Sequence, residues 1–162
     1  MVLEIGGVPG GYLEGRNTKS LIRTNVYHIP GLDTLVDAQL LPFPDRTFDL
    51  VFMIAVDYYI PELQKAFQEI FRVSKPGATF INATYTKKTL DLQKKIDSVA
   101  LHNLNTFEYI DLYKRIGFTP FILKILNNPP KNPVKGFIWS IMPRAFLLLR
   151  SQWRIFVCKK IA

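Results

Sequence analysis

A glycine-rich loop and a few well-spaced polar side chains carry the chemistry available to this sequence. Gly6-Gly7-Val8-Pro9-Gly10-Gly11 sets four glycines in six residues directly after the apolar run Val2-Leu3-Glu4-Ile5. Such a loop adopts positive φ at little cost and lets its backbone approach a ligand closely. Asp37 ends another apolar run, and a Pro-anchored loop, Leu41-Pro42-Phe43-Pro44-Asp45, leads from it to Phe48-Asp49-Leu50-Val51-Phe52-Met53-Ile54. An acidic strand end, a short loop and an apolar strand form the local wiring of a nucleotide-binding α/β sheet. Asp57 follows, where a general base would stand; its structural alternative is a helix N-terminal carboxylate ahead of Pro61. His28 and His102 have no cysteine or carboxylate partners at ligand spacing, so no metal site is expected.

The elements that must position these residues read as an alternation of strands and helices. Val2–Ile5, Leu21–Val26, Thr34–Val36 and Phe48–Ile54 are expected strands, the last apolar enough to be covered on both faces. Leu63, Ala66, Phe67, Ile70 and Phe71 repeat at helical spacing after Pro61 until Lys75-Pro76-Gly77 stops the run. A strand from Ala78 to Thr84 follows, then a helix from Thr89 marked by Leu92, Ile96 and Val99. A further helix is capped by Thr106 and ended by Gly117. Phe118–Leu126 and Trp153–Cys158 close the chain as an antiparallel pair. The order predicts an α/β fold, a Rossmann-like three-layer sandwich with a mostly parallel seven-stranded sheet and an antiparallel last strand.

At 162 residues, with 48% hydrophobic and 21% charged residues, the chain is expected to form one domain, 1–162, with 1–85 as a ligand-binding half and 86–162 as a basic half. Cys158 is the single cysteine, so no intramolecular disulfide is available and a cytoplasmic location is expected. Residues 1–85 carry 7 Lys/Arg against 9 Asp/Glu, whereas residues 86–162 carry 14 against 4. That asymmetry points to an anionic partner, nucleic acid or a lipid surface, or simply to a solvated basic face. Trp139, Trp153, Phe137 and Phe146 read either as a basic aromatic platform or as cover for a sheet edge.

Four segments in order carry a family resemblance. Val2-Leu3-Glu4-Ile5-Gly6 with Gly10, Asp37-Ala38 with Leu41-Pro42-Phe43-Pro44-Asp45, Phe48-Asp49-Leu50-Val51, and Glu69 to Gly77 together resemble the class I S-adenosylmethionine-dependent methyltransferases of the small-molecule type. The resemblance implies a cofactor site in which Gly6, Gly7 and Gly10 meet the methionine end with Glu4 beneath. It implies that Asn25 faces the ribose, Asp37 and Ala38 meet the adenine, and Met53 and Ile54 flank the sulfonium. A small-molecule methyl acceptor is the implied partner.

The chain departs from the family's pattern where Val8 replaces a glycine, where Asn25 replaces an acid and where Tyr58-Tyr59 replace histidines, and the resemblance implies a lid helix before the first strand that is expected to be missing here. A second copy covering the open cofactor edge is therefore expected. The function implied is methyl transfer from S-adenosylmethionine. The alternatives are a degenerate methyltransferase fold that binds a ligand or partner without turnover, and a basic module for nucleic acid or membrane surfaces.

Overall fold

The computed structural model describes residues 1–9, 20–86, 90, 102, 104–126 and 153–161. Seven strands, β1 (Val2–Ile5), β2 (Leu21–Asn25), β3 (Thr34–Leu35), β4 (Phe48–Ile54), β5 (Ser74–Tyr85), β6 (Phe118–Leu126) and β7 (Trp153–Lys160), form one sheet in the order β3-β2-β1-β4-β5-β7-β6. Pairings from β3 to β5 are parallel, and β7 runs antiparallel between β5 and β6. The expected architecture of a mostly parallel sheet with an antiparallel last strand is the one observed. Chain order reverses between β1 and β4, where the connections leave to opposite sides and open a crevice at the strands' carboxyl ends.

Helix α1 (Leu63–Val73) buries Leu63, Ala66, Phe67, Ile70 and Val73, the stripe that its 3.6-residue period predicts. Helix α2 (Thr106–Ile116) starts one residue earlier than expected: Asn105 is the cap, its Oδ1 accepting from Phe107 N and Glu108 N, and Glu108 reaches back to complete a capping box. Both helices lie on the sheet face that carries Phe80. The ring of Phe67 stacks on Tyr113 at 5.1 Å, and Tyr109 and Tyr113 each meet Phe156 at 5.3 Å. This aromatic layer joins α1, α2, β5 and β7 into one core.

Lys75-Pro76-Gly77 does not separate the helix from the next strand. β5 begins at Ser74, opposite Phe48, and the register then shifts, Leu50 pairing with Thr79, so the extra residues are taken up on the β5 side. The expected helix from Thr89, Gly10 and the aromatic residues 137–149 lie outside the described residues, apart from buried Leu90. No helix among the described residues is long and apolar enough to cross a membrane.

Candidate functional site

Gly6, Asn25 and Asp37-Ala38 meet at one cleft of about 290 Å³ over the carboxyl ends of β1, β2 and β3. Its other walls are Ile5, Val26, Tyr27, Val36, Val56, Tyr59 and Ile60. A volume of this size sits at the small end of ligand sites, and an apolar lining with a few converging polar groups is their usual make-up. Two of the four segments that carry the resemblance, those of Gly6 and of Asp37-Ala38, thus converge, and Asn25 joins them.

The loop after β1 is stitched to β2. Gly7 N donates to Thr24 O at 3.0 Å, and Thr24 Oγ1 donates to Glu4 O at 3.1 Å. Gly6 has φ +73°, and a Cβ there would stand 2.2 Å from Val56 Cγ2, so only glycine lets the loop and the Val56 turn approach this closely. Glu4 is buried beneath Gly7, whose added Cβ would lie 3.1 Å from the Glu4 carboxylate. Burial raises the pKa of Glu4 above the ordinary value, opposed by the charge of Arg23, and its Oε2 has no hydrogen-bond partner among the described residues. A buried oxygen of this kind, directly under the loop, suits a donor group brought by a ligand.

Asn25 has taken on work within the protein. Its Nδ2 donates to Gly7 O at 3.0 Å and its Oδ1 accepts from Tyr27 N at 3.1 Å, so the side chain clamps the loop to the end of β2. Only the spare lone pairs and the second N–H remain for a diol. Asp37 is exposed at the cleft mouth, its carboxylate oriented by Gln39, whose N and Nε2 donate to Oδ1 at 2.8 and 3.0 Å. Gln39 Oε1 in turn accepts from Glu62 N at 2.8 Å, tying the acid to the start of α1.

The loop from Leu41 to Asp45 is pinned from α1. Arg72 donates to the carbonyls of Leu41 and Phe43, to Asp45, and through both sides of its fork to Glu69, all within 2.7–2.8 Å. Glu69 Oε2 also accepts from Leu41 N at 2.9 Å. The pair is what turns the Leu-Pro-Phe-Pro segment into a fixed base for Asp37-Ala38.

Met53 is wholly buried in the core and Ile54 half-buried; neither lines the cleft. The wall expected from them is made by Val56, Tyr59 and Ile60, which sequence reasoning missed. Ala55, at φ +57°, resets the chain after β4, and a short 3-10 turn, Asp57–Tyr59, carries these side chains over Gly6. Asp57 is also wholly buried, with its carboxylate facing Asn82 and Tyr109 instead of the cleft. A wider groove of about 650 Å³ runs between α1 and α2, lined by both signs of charge, including Glu62, Lys65, Asp111 and Arg115. Among the described residues no cluster of His, Cys, Asp and Glu could hold a metal ion.

Residues 19–82 match the family model described as "Methyltransferase domain". The 24-methylenesterol C-methyltransferase 3 of Arabidopsis thaliana is 31% identical over 119 residues, 64% of this chain and 33% of that protein. The ubiquinone/menaquinone biosynthesis C-methyltransferase UbiE of Salmonella arizonae is 35% identical over 69 residues, 42% of this chain and 28% of that protein. The chain thus spans about a third of the length of the curated relatives it matches. Among solved structures, the complex of the Haloferax volcanii Trm112 methyltransferase activator with a methyltransferase superposes with TM-score 0.73 at 18% identity, covering 99% of this chain and 82% of that one. The resemblance read from residues 2–85 therefore holds at the level of the fold, over nearly the whole chain.

Proposed function

We propose that this chain, whose fold is that of the class I S-adenosylmethionine-dependent methyltransferases, binds S-adenosylmethionine in the cleft between Gly6 and Asp37 and donates its methyl group to an acceptor. The observation that supports this most is the convergence of the glycine loop, Asn25 and Asp37-Ala38 on one apolar cleft at the switch in strand order. When bound, the cofactor supplies a sulfonium-activated methyl group. The chain's own residues bind and orient: Gly6, Gly7 and Gly10 would hold the amino-acid end above Glu4, Asn25 the ribose edge, and Asp37 with Ala38 the adenine. Met53 and Ile54 back the turn from which Val56, Tyr59 and Ile60 exclude water. Positioning two reactants in a dry site is the principal demand of such a transfer.

The names of the two relatives support a carbon acceptor carried on an apolar small molecule. The activator seen with the Haloferax protein supports a protein partner as well. The excess of 14 Lys/Arg over 4 Asp/Glu in residues 86–162 supports an anionic partner for that half.

One observation favours a second reading, a ligand-binding protein without turnover: Asn25 already spends both ends of its amide on Gly7 and Tyr27. Calorimetric titration with S-adenosylmethionine and its demethylated product separates the readings. Binding of both with methyl transfer to a sterol or quinone-precursor acceptor supports the enzyme; binding without transfer supports the second reading; no binding at about millimolar cofactor removes the enzyme reading. Asp37→Ala is expected to weaken binding about tenfold, the worth of one lost hydrogen bond to a charged group. Unchanged affinity would displace the adenine from this end of the cleft.

A further inference from the structure

The turn that walls the cleft is anchored by an acid facing away from it. Asp57 Oδ2 accepts from the Tyr109 hydroxyl and from Asn82 Nδ2, the latter at 3.2 Å, and Asn82 Nδ2 also donates to Tyr113 OH at 2.9 Å. Arg154 stands opposite Thr84 in the β5–β7 ladder. It gives its terminal nitrogens to the carbonyls of Leu104 and Tyr85 and lies 4.9 Å above the Tyr109 ring, without a direct bond to Asp57. Among the described residues, this one cluster leaves Asp57 Oδ1, Asn82 Oδ1, Thr84 Oγ1 and Arg154 Nε without partners, although all four residues are at most 2% exposed.

Asp57 Oδ1 is therefore an unpaired oxygen on a wholly buried carboxyl, and the one cation of the cluster, Arg154, spends its terminal nitrogens on backbone carbonyls. If Asp57 is ionised, a charge without a bonded cation stays in a dry interior, a costly arrangement. A proton on Oδ1 removes that charge and leaves Oδ2 to accept from Tyr109 and Asn82. We infer that Asp57 is a neutral acid, and that it acts as a positioning residue, holding Val56, Tyr59 and Ile60 in place as the wall of the cleft. This assigns Asp57 a role other than that of a general base. Its consequence for cofactor binding rests on the reading given under Proposed function.

The titratable groups around it fit. Tyr58 faces it from its own turn, Tyr109 and Tyr113 from α2, and Arg154 from β7, with Cys158 behind Tyr113 and Glu108 beyond Arg154. Burial keeps all three tyrosines protonated. Burial likewise raises Asp57 above its ordinary 3.8, outweighing the Tyr109, Thr84 and Asn82 contacts and the Arg154 charge. The folded state then holds the proton more tightly than the unfolded chain. Its stabilising effect is complete below the ordinary value and is lost as pH rises through the folded value, by up to about tenfold in the folding equilibrium per pH unit.

Selective 13C labelling of aspartate, titrated by NMR from about pH 5 to pH 9, reads the proton directly in the wild-type protein. The Asp57 Cγ signal is expected at the protonated position at the acid end, and a carboxylate position throughout would overturn the inference. Unfolding midpoints give a second reading: wild type should lose stability relative to Asp57→Asn as pH rises, and parallel curves would refute a buried proton. S-adenosylmethionine affinity should weaken over the same range in wild type and stay flat in Asp57→Asn. Affinity that is independent of pH in a protein that does bind cofactor would remove the positioning role. A protein that binds no cofactor at any pH refutes the proposed function instead, and the NMR and unfolding results still decide the state of Asp57.

Discussion

Replacing Gly6 by alanine tests how closely the cofactor loop and the Val56 turn are fitted. Two costs add. Alanine at φ +73° loses about 1–2 kcal/mol in the left-handed region. Its Cβ would also stand 2.2 Å from Val56 Cγ2 and 3.0 Å from Cγ1, with Val56 Cβ at 3.1 Å, so rotating χ1 cannot clear the contact. Overpacking of this kind costs about 1–3 kcal/mol. Gly6→Ala should therefore destabilise by about 2–5 kcal/mol.

Gly77 supplies the control, because its φ is +78° and nothing lies within 4 Å of an added Cβ. Gly77→Ala should cost only the strain, about 1–2 kcal/mol. Shortening Val56 removes the overlapping methyl groups, so Gly6→Ala in a Val56→Ala background should cost about 1–3 kcal/mol less than in wild type. Urea denaturation followed by circular dichroism measures wild type and the four variants. Equal costs at Gly6 and Gly77, with no coupling to Val56, would refute the close fit. Cofactor titration adds a functional reading: Gly6→Ala pushes Val56 and should weaken binding, whereas Gly77→Ala should not.

Other outcomes follow from the same geometry. Arg72→Lys keeps the charge but loses the fork that holds Leu41 O, Phe43 O and Glu69, and should cost about 2–3 kcal/mol in the same denaturation assay. Arg72 holds the Glu69 carboxyl below its ordinary 4.5, so the stability Glu69 adds is present above that value and lost as pH falls through the folded value. Wild type should accordingly lose its advantage over Glu69→Gln in acid, and an advantage unchanged there would refute the pairing. Lys160 donates to Phe71 O and Ser74 O at 2.8 and 2.9 Å, so Lys160→Met strands the carbonyls at the end of α1 and should cost about 1–3 kcal/mol on thermal unfolding. Cys158 is wholly buried and its thiol is pushed up to about 12, so a thiol reagent at about pH 8 should modify it only as fast as the protein unfolds.

What the sequence revealed and what it hid divide along the range of the interactions involved. β4 and α1 were legible because their apolar period is local, and the end of α2 at Gly117 because a left-handed residue there, at φ +110°, favours glycine. The cap of α2 was read one residue late, at Thr106: both residues are good cap types, and only the reciprocal pattern of Asn105 with Glu108 three residues on separates them. β5 began early because Ser74 pairs with Phe48, a long-range contact that overrides the breaking tendency of Pro76-Gly77.

The site divides the same way. Gly6, Asn25 and Asp37 stand at or just past the ends of β1, β2 and β3, so a parallel sheet brings them together once the strand order is known. Val56, Tyr59 and Ile60 reach the cleft only because Ala55 takes φ +57°, fixed by its N–H on Ala83 O at 2.8 Å, a bond made across to β5. Asp57 shows the limit most clearly. Its neighbours in sequence suit an exposed carboxylate at a helix start, yet its partners lie 25 residues away at Asn82 and 52 away at Tyr109, and they bury it completely. The spacing that marked Asp57 as chemistry was real, but the partners that set its proton come from β5, β7 and α2. A carboxylate read from local pattern alone can be placed beside a site without its direction being known, and at Asp57 that direction separates a base acting in the cleft from an acid holding its wall.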